Sequence, residues 1–201
     1  VCCMQSGTGH FALYSSRFLQ KDDRLYEDIE ALLFDSDGDC DLDLYLVSGS
    51  YDIPPNHPIA NDRLFINNGK GRFSKRIGGL PADLTNGSCV RAADIDGDGD
   101  LDLFVGGRVV SGSYPSTPKS FIYRNDGGKF TDVTATWCPQ VQQVGMVTDA
   151  LWTDFDNDGK LDLLVAGEWM PLTFYKNSGK ALVSVKSGLE EYPGWWNSLV
   201  A

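Results

Sequence analysis

Three nine-residue loops, each with acids at alternate positions, divide this chain at near-equal intervals. They are Asp35-Ser36-Asp37-Gly38-Asp39-Cys40-Asp41-Leu42-Asp43, Asp94-Ile95-Asp96-Gly97-Asp98-Gly99-Asp100-Leu101-Asp102 and Asp154-Phe155-Asp156-Asn157-Asp158-Gly159-Lys160-Leu161-Asp162. Their first aspartates lie 59 and then 60 residues apart. Carboxylates at loop positions 1, 3, 5 and 9 recur three times, and position 7 is Asp41, Asp100 or Lys160. Like charges held a few ångströms apart repel, so such loops call for a hard cation among the acids.

The formal net charge of −11 makes nucleic acid an unsuitable partner. That charge is local, because the loops hold 14 of the 28 acidic residues. A disordered acidic tail would spread its charge without structured apolar flanks. Five cysteines form no CxxC pair and no even disulfide framework, which argues against a zinc or thioredoxin-like site. No run of 18 apolar residues exists to span a membrane as a helix.

Each loop is followed by a short apolar strand pattern closed by glycine, namely 42–49, 101–107 and 161–167. Strand-then-turn patterns come next at 63–69, 120–127 and 173–179, each ending in an Asn/Asp/Ser-Gly turn. A fourth strand follows at 72–75 and 129–133, and a first strand precedes each loop at 29–34, 88–93 and 147–153. Four strands per unit of about 60 residues predict an all-β fold, a β-propeller built of four-stranded blades. Gly7-Thr8-Gly9-His10-Phe11 echoes Gly69-Lys70-Gly71-Arg72-Phe73, so the chain reads as opening in the last hairpin of an earlier blade. Residues 194–201 read as a strand leading into another acidic loop. Residues 1–201 are thus expected to form one segment, about three blades plus partial terminal ones, from a longer ring. An open arc would leave two unpaired edges, which native proteins avoid.

Alternate carboxylates in a tight loop converge on one ion when a glycine near position 6 allows the bend and position 7 offers its carbonyl. Ca2+ takes six to eight oxygens at flexible geometry, whereas Mg2+ demands a stricter octahedron. An EF-hand would close with Glu at position 12 between helices; here Asp43, Asp102 and Asp162 close at position 9 between strands. About three Ca2+ sites are therefore expected, formed from Asp35, Asp37, Asp39, Asp41, Asp43, Asp94, Asp96, Asp98, Asp100, Asp102, Asp154, Asp156, Asp158, Lys160 and Asp162. Cys40 stands at position 6, where the other loops have Gly99 and Gly159. If that position needs a positive φ, the cysteine costs about 1 kcal/mol or more and weakens the first site.

The D-x-D-G-D-G-x-x-D loop followed by Leu-Asp-Leu-x-x-x-Gly resembles the FG-GAP, or VCBS, repeat of integrin alpha-subunit propellers and many secreted bacterial proteins. Val105-Gly106-Gly107 and Val165-Ala166-Gly167 depart from the family's Gly-Ala-Pro segment. The stretch from Asp149 to Asp156 looks more like the bacterial multi-repeat proteins. The resemblance implies a seven-bladed ring, calcium in the first hairpin of certain blades, and a role in adhesion or recognition.

If the aspartate loops share one face, the connections between strands two and three share the other. They carry Tyr51, Pro54, Pro55 and His57, then Arg108, Tyr114, Pro115 and Pro118, then the short loop Gly167-Glu168-Trp169-Met170-Pro171. Exposed Tyr, Trp and Arg there suit a protein or glycan ligand, and equally an ordinary set of packed loops. Trp195-Trp196 is either a sugar platform or strand packing. No catalytic signature is present: His10 and His57 lie far apart in the repeat, and neither G-x-S-x-G nor H-E-x-x-H occurs. Glu168 beside Trp169 offers an acid for carbohydrate chemistry, without a nameable partner carboxylate. The expected function is that of a non-catalytic, calcium-stabilised scaffold of an exported protein. The alternatives are part of a polysaccharide-acting enzyme, its carbohydrate-binding module, or a stalk without ligand. Calcium sites of extracellular modules work at ~0.1–1 mM, which places the chain outside the cell, at its surface or in the periplasm.

Overall fold

The computed structural model describes residues 2–5, 11–14, 19, 21–52, 54, 57–82 and 84–200. A hairpin of β1 (Cys2–Gln5) and β2 (Phe11–Tyr14) comes first. Its turn, with the Gly7 to His10 echo, lies outside the described residues. Three antiparallel sheets follow. The first holds β3 (Asp28–Phe34), β4 (Asp43–Ser48), β5 (Arg63–Asn67) and β6 (Phe73–Lys75); the second holds β7 (Asn86–Ala93), β8 (Asp102–Val109), β9 (Phe121–Asp126) and β10 (Lys129–Asp132). The third holds β11 (Met146–Thr153), β12 (Asp162–Met170), β13 (Thr173–Asn177) and β14 (Leu182–Val185), with the short β15 (Gly194–Trp195) against β12. Each sheet is a four-strand meander in chain order, as the repeat predicts, and the three together fit a β-propeller.

The three first hairpins share one register. Phe34 faces Asp43, Ala93 faces Asp102 and Thr153 faces Asp162 at the base of each loop. A bulge recurs seven to five residues before each loop, at Asp28/Glu30, Gly87/Cys89 and Val147/Asp149. Such bulges raise local strand twist and re-aim side chains.

The middle sheet is sandwiched, since β7 packs against both β3 and β11. Because strand side chains alternate between faces, Val90, Leu103, Val105 and Tyr123 join Phe34, Tyr45, Val47 and Leu64 in a core shared with the first sheet. Cys89, Phe104 and Ile122 turn the other way and pack with Val147, Leu163, Val165 and Tyr175 of the third. Packing on both faces leaves β7 and β8 buried along most of their length. Arg91 ties the first strands together: its Nη1 donates to Glu30 Oε1 at 2.7 Å, its Nε to the Ala150 carbonyl at 2.9 Å, and its Nη2 to Asp149.

Two segments differ from the sequence reading. A four-residue helix, α1 (Thr134–Trp137), and a 3-10 turn, Pro139–Gln143, link the second and third sheets. Residues 194–200 form only the two-residue β15, which extends the third sheet rather than beginning a full strand. Even so, Leu199 N donates to Asp149 Oδ2 at 2.7 Å, as Val90 N does to Glu30 Oε2 at 2.7 Å. The segment lies beside β11 much as β7 lies beside β3.

Candidate functional site

Each loop is bent around its first aspartate. Asp35 accepts from Gly38 N (2.8 Å) and Cys40 N (2.9 Å), and Asp94 from Gly97 N (2.8 Å) and Gly99 N (3.1 Å). Asp154 accepts from Asp158 N (3.0 Å) and Gly159 N (2.8 Å). The bend needs a left-handed backbone twice. Position 4 has φ of 79°, 81° and 59° at Gly38, Gly97 and Asn157; position 6 has 69°, 95° and 84° at Cys40, Gly99 and Gly159. Asn tolerates this region through its short polar side chain, whereas Cys meets the full β-carbon penalty.

The bends gather carboxylate oxygens. Those of Asp35, Asp37 and Asp39 lie within 4.8 Å of one another, as do those of Asp94, Asp96 and Asp102, and of Asp154, Asp156 and Asp162. The position-7 side chains stand apart from these groups. Asp100 Oδ2 accepts from Gly127 N at 2.7 Å, Lys160 Nζ lies 3.6 Å from Asp158 Oδ2, and Asp41 packs against Gly69. Asp98 and Asp158 also fall outside the groups, and each accepts the position-7 amide, at 2.9 and 3.0 Å.

The position-9 aspartates are the most buried acids of the loops, at 0 % exposure each. Each has one oxygen on the position-2 amide (Ser36, Ile95, Phe155) and the other on the amide of a strand asparagine: Asn67 at 2.7 Å, Asn125 at 2.8 Å, Asn177 at 2.7 Å. In the first loop Ser36 Oγ donates as well to Asp43. The other loops have apolar Ile95 and Phe155 there, which explains why Asp102 and Asp162 join their groups and Asp43 does not. Burial pushes the Asp102 carboxyl up to about 7, despite its two amide bonds, and raises Asp162 in the same way. Asp37 and Asp96 are also raised, first by burial and then by neighbouring loop carboxylates. Asp37 Oδ1 is buried without a hydrogen-bond partner.

The asparagines are functional residues that the sequence presents only as turn formers. Asn125 Nδ2 donates to Leu101 O (3.2 Å) and across the sheet boundary to Ser36 O (2.9 Å). Asn177 Nδ2 does the same to Leu161 O (3.1 Å) and Ile95 O (2.8 Å). The first and second loops are therefore each held by the next sheet's asparagine, itself held by its own loop's closing aspartate. Gly128 has φ 84°, and a β-carbon there would sit 2.8 Å from Asp37 Cβ, so the neighbouring turn must be glycine to approach the first loop.

The third loop differs from the other two. Lys176 Nζ contacts Asp156 and lies 3.1 Å from Asp158 Oδ2. That ammonium holds Asp158 below the usual carboxylate range, and Asp156 and Asp158 together raise Lys176.

A family model for the FG-GAP-like repeat matches residues 35–105 and 109–165, spanning all three loops. The chain belongs to the FG-GAP-like repeat family. No curated protein matches it. The matched FG-GAP repeats begin at the first aspartate loop and end in β12, so they cover all three loops and the strands from β4 into β12.

The antiparallel meander sends the connections between strands two and three of each FG-GAP sheet to the end opposite the aspartate loops. His57 caps a short 3-10 turn, Pro58–Ala60, accepting from Ile59 N at 3.3 Å, which is a structural role. Pro55 lies outside the described residues, and Pro118 lines a separate hollow. The stretch Gly167 to Met170 is not a loop but the end of β12, since Met146 pairs with Glu168 on one side and Trp195 on the other. Glu168 is buried at 4 % exposure and bonded to Arg108. Trp195 and Trp196 do different things. Trp196 N donates to Gly167 O (3.2 Å) and its Nε1 to Met170 O (3.2 Å), while the Trp195 ring stays 56 % exposed.

Proposed function

We propose that the chain is a non-catalytic, calcium-stabilised propeller segment of an exported protein, serving adhesion or ligand recognition from the face opposite its aspartate loops. The observation that carries this reading is the threefold gathering of three carboxylates within 4.8 Å. The residues fit the ion. Their donors are all oxygens, the buried Asp37 Oδ1 lacks a partner, and among the described residues no Lys or Arg pairs with Asp43, Asp102 or Asp162. Asp35, Asp37 and Asp39 would hold one Ca2+, Asp94, Asp96 and Asp102 a second, and Asp154, Asp156 and Asp162 a third. The bound ion supplies positive charge that compensates the carboxylates, so binding free energy becomes folding free energy. The third site competes with Lys176 for its acids.

Several features support the wider reading. The millimolar calcium such loops need is found outside cells or in the periplasm. Ala31 and Leu33 are exposed on the β3 face turned away from the second sheet, which a further blade of a seven-bladed ring would cover. No helix among the described residues is long and apolar enough to cross a membrane. The rival reading, a polysaccharide-acting enzyme, rests on Glu168. That carboxylate is engaged by Arg108, and hydrolysis by the two-carboxylate route needs a second acid. The test is thermal unfolding in millimolar Ca2+ and in EDTA. Calcium is expected to raise the melting temperature by several degrees, and coincident curves would refute the structural role.

A further inference from the structure

Trp169 is the one large side chain among the described residues held in a left-handed backbone, at φ 58°. It sits at a register shift in β12, between Glu168 and Met170, and is 62 % exposed. Strain kept at an exposed aromatic points to a use for that side chain rather than to packing. The ring is fixed in place. Its Nε1 donates to Tyr114 Oη at 2.8 Å, and it rests against Trp195 with centroids 5.2 Å apart and planes tilted by 51°. Tyr114 is itself 48 % exposed, so three aromatic rings form a rigid, open ledge.

Two hollows meet at this ledge, both lined by Tyr114 and Glu168. One, of about 370 Å3, adds Tyr51, Asn86 and Arg108; the other, of about 550 Å3, adds Trp169 and Pro171. These volumes are those of small-ligand clefts. A flat protein interface instead spreads over ~1,000 Å2 or more. The charged groups in the floor compensate one another, since Arg108 and Glu168 are paired. An anionic ligand would therefore meet Glu168, and a cationic one Arg108. The pair and the tyrosine hydroxyls offer donors and acceptors without net charge.

We propose that this ledge is a binding subsite for a neutral oligosaccharide, its pyranose C–H faces lying on Trp169 and Trp195 and its hydroxyl edges directed at the Arg108–Glu168 pair. Flat aromatic faces suit a ligand that is apolar on its faces and polar at its rim. Among the described residues no second Asp or Glu lines either hollow, so the subsite binds and does not hydrolyse. The proposal names the ligand class for the recognition face proposed above, and rests on that part of the reading alone.

The test is calorimetry and tryptophan fluorescence on the full chain in millimolar Ca2+, with cellohexaose, laminarihexaose, mannohexaose and chitohexaose, and with hexagalacturonate as the acidic control. At least one neutral hexaose is expected to bind and shift the emission. Trp169→Gly suits a backbone already in a glycine conformation, and should weaken binding by about tenfold or more while calcium affinity stays unchanged. Tyr114→Phe, which frees the indole ring, should weaken it about threefold. Four neutral hexaoses that all fail to bind folded, calcium-loaded protein would overturn the proposal. So would binding of hexagalacturonate alone, or neutral binding that survives Trp169→Gly. Loss of the calcium effect on melting, with hexaose binding intact, would instead refute the metal reading and leave the subsite standing.

Discussion

Replacing Cys40 by glycine should tighten calcium binding at the first loop. Cys40 has φ 69° at the position where the other loops place Gly99 and Gly159, at 95° and 84°. Nothing lies within 4 Å of a β-carbon built on either glycine. If the first loop is as open there, the cost is local, between the β-carbon and its own backbone. That cost is about 1–2 kcal/mol for an L-residue. Glycine returns part of it through the greater freedom of its unfolded chain, about 0.4–1 kcal/mol. The Cys40 side chain is exposed and its thiol is free, so little packing is lost. The net gain is about 0.5–1 kcal/mol, or roughly two- to fivefold in affinity where loop ordering accompanies binding. Titration calorimetry should be done with Asp94→Asn and Asp154→Asn silencing the other loops. The reciprocal Gly99→Cys, read with the first and third loops silenced, should weaken the second site by a similar factor. An unchanged or weaker first site in Cys40→Gly would refute the strain argument.

Asn177→Ala removes the bonds to Ile95 O and Leu161 O. Calorimetric unfolding should show a loss of about 1–3 kcal/mol, and calcium affinity should fall at the second loop as well as the third; an effect confined to the third would deny the link between sheets. Stability in EDTA should depend on pH with a definite sign. Asp102 is raised to about 7, and Asp37, Asp96 and Asp162 are raised too, so the folded chain holds more protons than the unfolded one above the ordinary carboxylate pKa. The stability these four groups contribute is complete below about pH 4 and is lost as pH rises toward 7, while Asp158, held low by Lys176, contributes in the opposite sense. Melting curves at pH 4 to 8 should show that decline in EDTA and its removal by calcium.

Strand order, the aspartate loops and the need for a positive φ at Cys40 were legible because each is a local signal of period-two patterning or turn chemistry. The recurring bulges were not. Asp28, Gly87 and Asp149 are turn formers by type, but nothing local marks them as bulges, and the shift at Asp28/Glu30 is set by pairing with β4. The asparagine locks were invisible for another reason, since Asn125 reaches Ser36 and Asn177 reaches Ile95 across sheet boundaries. Trp169 was visible as an aromatic beside Glu168 in a short connection, but not its tie to Tyr114, 55 residues away. The end of β12 was misread as a loop because Gly167 reads as a stop. In the sheet its backbone is paired with Val147, and hydrogen bonding carries the strand on to Met170. The recurrence of an acid at position 9 was legible, yet its grip on the asparagine amide belongs to the tertiary fold.

Long-wavelength anomalous diffraction from crystals grown in millimolar calcium bears most directly on the metal centres. Three calcium peaks are expected, one touching Asp35 and Asp37, one Asp94 and Asp96, and one Asp154 and Asp156, with the third weakest if Lys176 stays in place. Loops that keep their bends with no anomalous density among the carboxylates would contradict the account.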